Sequence, residues 1–224
     1  MTFDGRTKIV TSRREFIGTL PKNSIGAEIG VFSSYLSKMI IDEVEPSKFY
    51  TVDAFRGWSE NSGYDPDFPH ENNERYAKAL AKTYECVDLR IGMSTDVADT
   101  IPDESLDWVY IDACHEYEWA KRDFDAWIPK IKHGGMICGH DYPSPFFEEA
   151  QTQFRGVKRV IDDYCAETGS CISTLSYSGD GYTKDDLGDD FRGLFWHYFK
   201  SFVWRSCDFT IEKSNYRGKG IYAS

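Results

Sequence analysis

The chain has 224 residues, 41% of them hydrophobic and 16% aromatic, which is the composition of one globular domain with a sizeable core. Its 37 acidic residues outnumber 26 basic ones, for a net charge of -11, which argues against nucleic acid or an anionic membrane as the main partner. No run of about 18 apolar residues offers a membrane span, Met1 to Lys8 has no apolar signal region, and the six cysteines form no CxxC pair. The expectation is a cytoplasmic protein with reduced thiols.

Residues 1–24 read as an N-terminal segment with one helix around Arg13 to Leu20. Ile25 to Ile29 is apolar and β-prone, Gly30 allows a tight turn, and a helix follows to about Val44. Ser33 or Ser34 is expected to cap that helix, whose free N–H groups would face a ligand. Lys48 to Asp53 is a second strand ending in an acid, 25 positions after Glu28. That is close to the spacing at which nucleotide folds place a ribose-binding carboxylate, although a solvated strand-end acid is the plainer alternative. Residues 54–70 are loop-like and carry Phe55, Trp58, Tyr64 and Phe68, so they read as a lid or as a surface loop pinned by its own rings. A helix over Glu71 to Tyr84 precedes a third strand, Asp88 to Ile91, with Ser94 and Thr95 just beyond it.

The most informative stretch follows. Trp108 to Ile111 is a buried strand, and Tyr117, Ala120, Phe124, Trp127, Ile128 and Ile131 recur at helical spacing, with Lys121, Arg122, Asp123 and Asp125 on the polar side. Gly134 and Gly135 are expected to stop that helix before a further strand, Met136 to Cys138. Strand, helix, strand implies parallel neighbours with a right-handed crossover. Asp112 and His115 then end one strand, and His140 and Asp141 the other, at the edge where open parallel sheets bind ligands. Taken singly, Asp112 also suits a helix cap and His115 a loop histidine. Pro143 and Pro145 open an irregular loop, Phe154 to Thr168 is a helix, and Cys171 to Tyr177 is a strand. Residues 178–192 form an acidic insertion, and Phe191 to Ile211 returns the chain to the sheet as an antiparallel edge.

Glu28-Ile-Gly30-Val, Tyr50-Thr-Val-Asp53, Asp112-Ala-Cys-His115-Glu-Tyr and Lys132 to Tyr142 together resemble class I S-adenosylmethionine-dependent methyltransferases, especially the macrocin and mycinamicin type of small-molecule O-methyltransferase. Gly156 to Asp163 resembles that family's helix after the fifth strand. The resemblance implies an α/β, Rossmann-like, doubly wound and mostly parallel seven-stranded sheet with an antiparallel C-terminal edge strand. It implies a cofactor site at Glu28, Gly30, Val31, Ser33, Ser34, Tyr35, Asp53, Ala54, Ser94 and Asp112. There the Gly30 turn cradles the amino-acid part, Asp53 holds the ribose hydroxyls, and residues near Ser94 flank the adenine. It further implies Mg²⁺ on Asp112 and Asp141, with His140 beside them, acidifying the hydroxyl of a small acceptor whose proton goes to His115. Two positions depart from the family. Ser34 stands where a glycine is common, and His140-Asp141 stands where metal-dependent relatives carry two adjacent acidic or amide ligands. A nicotinamide-dependent oxidoreductase is the competing enzyme reading, disfavoured because GxGxxG spacing is missing. A non-catalytic cofactor-binding or interaction domain is the third, and homo-oligomerisation stays open.

Overall fold

The computed structural model describes residues 7–55, 70–143, 155–176 and 206–213. The strands are β1 (Lys8–Val10), β2 (Ile25–Ile29), β3 (Lys48–Asp53), β4 (Val87–Ile91), β5 (Leu106–Ile111), β6 (Ile131–Pro143), β7 (Ile172–Ser176) and β8 (Ser206–Glu212). The helices are α1 (Arg13–Ile17), α2 (Tyr35–Val44), α3 (His70–Thr83), α4 (Ser94–Ala98), α5 (Tyr117–Trp127) and α6 (Arg155–Thr168). They build one eight-stranded sheet in the order β1-β7-β8-β6-β5-β2-β3-β4. All pairs are parallel except those of β8.

The α/β doubly wound class is therefore the one expected, with two refinements. The short β1 adds an eighth strand at one edge. The antiparallel C-terminal strand β8 has a neighbour on each side, β7 and β6, and lies inside the sheet. Alternation along each strand sorts the core into two layers. Trp108 and Tyr110 face Phe16 and Ile17 of α1, Ile40 and Val44 of α2, and Leu80 of α3. Val109 and Ile111 face Ala98 of α4, Phe124 and Trp127 of α5, and Val160 and Ile161 of α6. Both layers are rich in rings. Fully burying one side chain such as Ile40 or Phe209 contributes roughly 1.5–3 kcal/mol.

The helix after β5 ends at Trp127, earlier than its apolar spacing suggested. Pro129 lacks a backbone N–H and its ring opposes a continued α-turn, so the chain passes through one 3₁₀ turn at Ile128–Lys130. Ile131 consequently belongs to β6, paired with Leu106, and Gly134 and Gly135 lie within that strand. Gly135 is needed there because a Cβ would stand 2.7 Å from the Asp107 carbonyl oxygen. Ser34 occupies the N-cap place of α2, yet in left-handed backbone (φ 61°) its side chain makes no capping bond. The aromatic loop expected at residues 54–70 lies almost wholly outside the described residues, as does the acidic insertion expected at 178–192. No described helix is long and apolar enough to cross a membrane.

Candidate active site

Two groups of polar side chains meet at the C-terminal edge of β2, β3, β5 and β6. The first surrounds the turn after β2. Gly30 has φ +92°, and a Cβ on it would lie 2.0 Å from the Asp112 carbonyl oxygen, so only glycine lets β2 pass the end of β5 this closely. The Asp53 carboxylate holds the turn from β3. Its Oδ2 accepts the backbone N–H groups of Val31 and Phe32, each at 2.9 Å, and its Oδ1 accepts that of Phe55 at 2.7 Å. The acid that ends β3 thus acts on the protein itself as a turn anchor. Glu28 lies fully buried beneath. The Ser37 hydroxyl donates to its Oε2 at 2.5 Å, while Oε1 has no partner. Burial pushes the Glu28 carboxyl well up, and the Ser37 bond only partly offsets this. Val31 and Ser34 are buried beside the turn, with Ser33, Tyr35 and Ala54 half-buried around it.

The second group brings together the residues read from the ends of β5 and β6. His115 Nε2 lies 2.7 Å from Asp141 Oδ2 and 3.8 Å from Asp112 Oδ1. His140 Nδ1 lies 3.3 Å from Asp141 Oδ1 and 3.8 Å from Asp112 Oδ1. The β6–β8 register shifts between Gly139 and Tyr142, and Asp141 has φ 60°. Such a bulge re-aims a side chain and is typical of functional edges. The result is two carboxylates interleaved with two imidazoles. Burial pushes both carboxyls up, but the histidines win: Asp112 lies below the ordinary range, and Asp141 well below it. Burial likewise pulls the His140 imidazole down, with Arg13 also opposing charge on it, and the protein packed around the inner side of the otherwise exposed His115 acts the same way there. The aspartates overcome this, raising His115 well above its usual value and His140 to about 9. Asp112, His115 and Asp141 each offer one atom to a metal ion, within 4.8 Å of one another. A recess lined by these residues, Cys114, Phe124 and Val157 opens beside them.

Ser94, expected near the adenine, opens α4 and is tied to α5. Its hydroxyl accepts from Trp127 Nε1 at 2.8 Å and hydrogen-bonds Asp123. Asp123 belongs to the side of α5 read as polar, but it is buried, and burial lifts its carboxyl to about 6. Behind His140 lies a buried network absent from the sequence reading. Asp208 accepts from Arg13 Nε at 3.0 Å, from Ser176 Oγ at 2.9 Å and from the Tyr110 hydroxyl. Arg13, Tyr110 and Asp208 come from α1, β5 and β8, so no local spacing could have signalled them.

The comparisons agree with this architecture. A family model described as a methyltransferase domain matches residues 24–142, more than half of the chain. An uncharacterized protein of Sinorhizobium fredii, y4gI, is 29% identical over 98 residues; that is 41% of this chain but only 10% of the relative, so the chain spans a small part of its length. A solved Corynebacterium glutamicum protein is 14% identical, with TM-score 0.55, covering 92% of this chain and 80% of its own. A geranyl diphosphate C-methyltransferase from Streptomyces coelicolor, solved with Mg²⁺, geranyl diphosphate and S-adenosyl-L-homocysteine, is 10% identical, with TM-score 0.52 and coverages of 90% and 77%. TYW2 of M. jannaschii, solved with AdoMet, is 13% identical, with TM-score 0.51 and coverages of 89% and 74%. At these identities the solved structures share the fold.

Proposed function

The chain belongs to the methyltransferase-domain family, and on that premise we propose that it moves the methyl group of S-adenosylmethionine to a hydroxyl of a small molecule, such as a sugar or natural product. The observation that carries this reading is the juxtaposition of the Gly30 turn with the Asp112–His115–His140–Asp141 cluster. One is a cofactor cradle and the other a proton-handling centre, and both sit at one sheet edge. The cradle suits the cofactor: a buried carboxyl with an unpartnered oxygen, Glu28 Oε1, stands under a turn that only glycine can make. A hydrogen-bond donor on the ligand would satisfy that oxygen.

Methyl transfer asks the protein for alignment of the nucleophile and for a proton acceptor. Asp112 and Asp141 are the oxygen donors for a divalent cation, with His115 the nitrogen nearest both; His140 touches both carboxylates from the buried side. A cation held there supplies Lewis acidity to the acceptor hydroxyl and the countercharge that the two carboxylates otherwise draw from the imidazoles. His115 is the exposed member of the cluster, its side chain 46% accessible, and so is the one placed to take a proton from an acceptor. Without a cation the carboxylates favour the imidazolium, which has to give up its proton before His115 can serve as a base. This makes Mg²⁺ or a softer divalent ion part of the reading. The 2.7 Å contact of His115 with Asp141 favours one alternative, a metal-free acid–base pair. Methyl transfer assayed with and without a chelator separates the two: loss of activity restored by Mg²⁺ or Mn²⁺ supports the metal, and full activity in chelator leaves the histidine pair alone.

A further inference from the structure

Among the described residues, three buried polar atoms without a hydrogen-bond partner belong to the face of the sheet covered by α1, α2 and α3: Glu28 Oε1, Ser34 Oγ and Asn73 Nδ2. A buried N–H or hydroxyl is costly to leave unpaired, so native structures rarely do so without a reason. Glu28 and Ser34 flank the turn already described. Asn73 comes from α3, and no motif in the sequence marks it.

Its position follows from the helix. Asn73 is 4% exposed. It precedes by one turn Ala77, which lies on the same side of α3 and packs with Val31 and Phe55. Those are two of the three residues whose backbone N–H groups reach the Asp53 carboxylate. At its other end, α3 leads through Tyr84 to the start of β4, where Val87 N donates to the Tyr84 carbonyl at 3.0 Å. The Asn73 end is therefore the one at the C-terminal edge of the sheet.

The accounting at Asp53 gives the amide a task. A carboxylate offers about four acceptor sites. Val31, Phe32 and Phe55 occupy three, two on Oδ2 and one on Oδ1. One site remains, enough for one hydroxyl and not for two. We propose that Asn73 is a cofactor-binding residue that shares the ribose diol with Asp53. One hydroxyl donates to the open site on Asp53, and a hydroxyl oxygen accepts from Asn73 Nδ2. Donor and acceptor then complement a vicinal diol, and the buried amide gains its missing partner. This rests on the cofactor reading above.

The test is calorimetric titration of S-adenosylhomocysteine, and of its 2′-deoxy and 3′-deoxy analogues, into the full chain and into Asn73→Leu. The expected result is about tenfold weaker binding of S-adenosylhomocysteine by Asn73→Leu. Removing one of the two hydroxyls should then cause no further loss in that variant, although it weakens the unsubstituted protein. The ligand-free melting temperature should hold or rise, because leucine removes an unpaired buried amide; a purely structural asparagine would lower it. If Asn73→Leu fails to fold, Asn73→Ser carries the same comparison. Affinity within twofold of the unsubstituted protein, or equal deoxy penalties in both, overturns the role of Asn73 alone. Failure of the unsubstituted protein to bind S-adenosylhomocysteine overturns the cofactor reading instead.

Discussion

Asp53→Ala should destabilise the ligand-free protein as well as weaken cofactor binding. Three backbone N–H groups converge on this carboxylate at 2.7–2.9 Å. Hydrogen bonds to a charged group are worth about 1.5–3 kcal/mol each, so naive addition gives roughly 4.5–9 kcal/mol. The site is half-buried, and water would replace part of what is lost; a net cost of about 3–5 kcal/mol is the reasonable range. For a chain of this size that corresponds to a fall of about 6–20 °C in melting temperature. Thermal and denaturant unfolding without ligand measures it, alongside titration with S-adenosylhomocysteine. A ligand-contact residue with no structural duty would lose affinity at an unchanged melting temperature. That outcome would refute the assignment of Asp53 as the anchor of the Gly30 turn.

Gly30→Ala should cost about 3 kcal/mol or more, since the new methyl meets the Asp112 backbone and the residue keeps a positive φ; a soluble variant with unchanged stability would contradict the close approach of β2 and β5. Asp123→Asn tests burial through pH. The folded-state pKa of about 6 lies above the unfolded value near 3.9, so the fold binds the proton more tightly and stability falls as pH rises between those values. By pH 7 the penalty approaches about 3 kcal/mol, and Asp123→Asn should recover much of it at pH 7 and none near pH 3 in denaturant unfolding; parallel pH profiles for both proteins would refute this. Asp141→Ala should lower methyl transfer about 100-fold or more while S-adenosylhomocysteine affinity stays within a few-fold; retained turnover would remove Asp141 from the chemistry.

The elements that position the site were legible because their signals are local. Trp108 to Ile111 is an uninterrupted buried strand, Glu28 to Gly30 a strand meeting an obligatory turn, and Asp112 and Asp141 the acids that end adjacent strands. What could not be read depends on contacts between distant segments. The antiparallel β8 lies between β7 and β6 because of pairings such as Phe209 with Gly139, and no pattern within 206–212 encodes that choice. Helical spacing carried Ile131 past the end of α5, where Pro129 overrides periodicity. Asp123 looked solvated because acids usually are, yet Ser94 from α4 gives it a partner in the core. Asp53 shows the reverse limit. Its place at the strand end was evident, but its three backbone partners depend on how the turns after β2 and β3 fold back upon it. Likewise, the pairing of His115 with Asp141 follows from a bulge in β6, and the neighbouring carboxylates hold the His115 imidazole well above its usual value.

The most direct test of the central claim is calorimetric titration of the purified chain with S-adenosylhomocysteine and, separately, with NAD. The account predicts saturable one-site binding of S-adenosylhomocysteine that Asp53→Ala weakens, with no heat from NAD. Binding of NAD in its place, or of neither ligand, would contradict it.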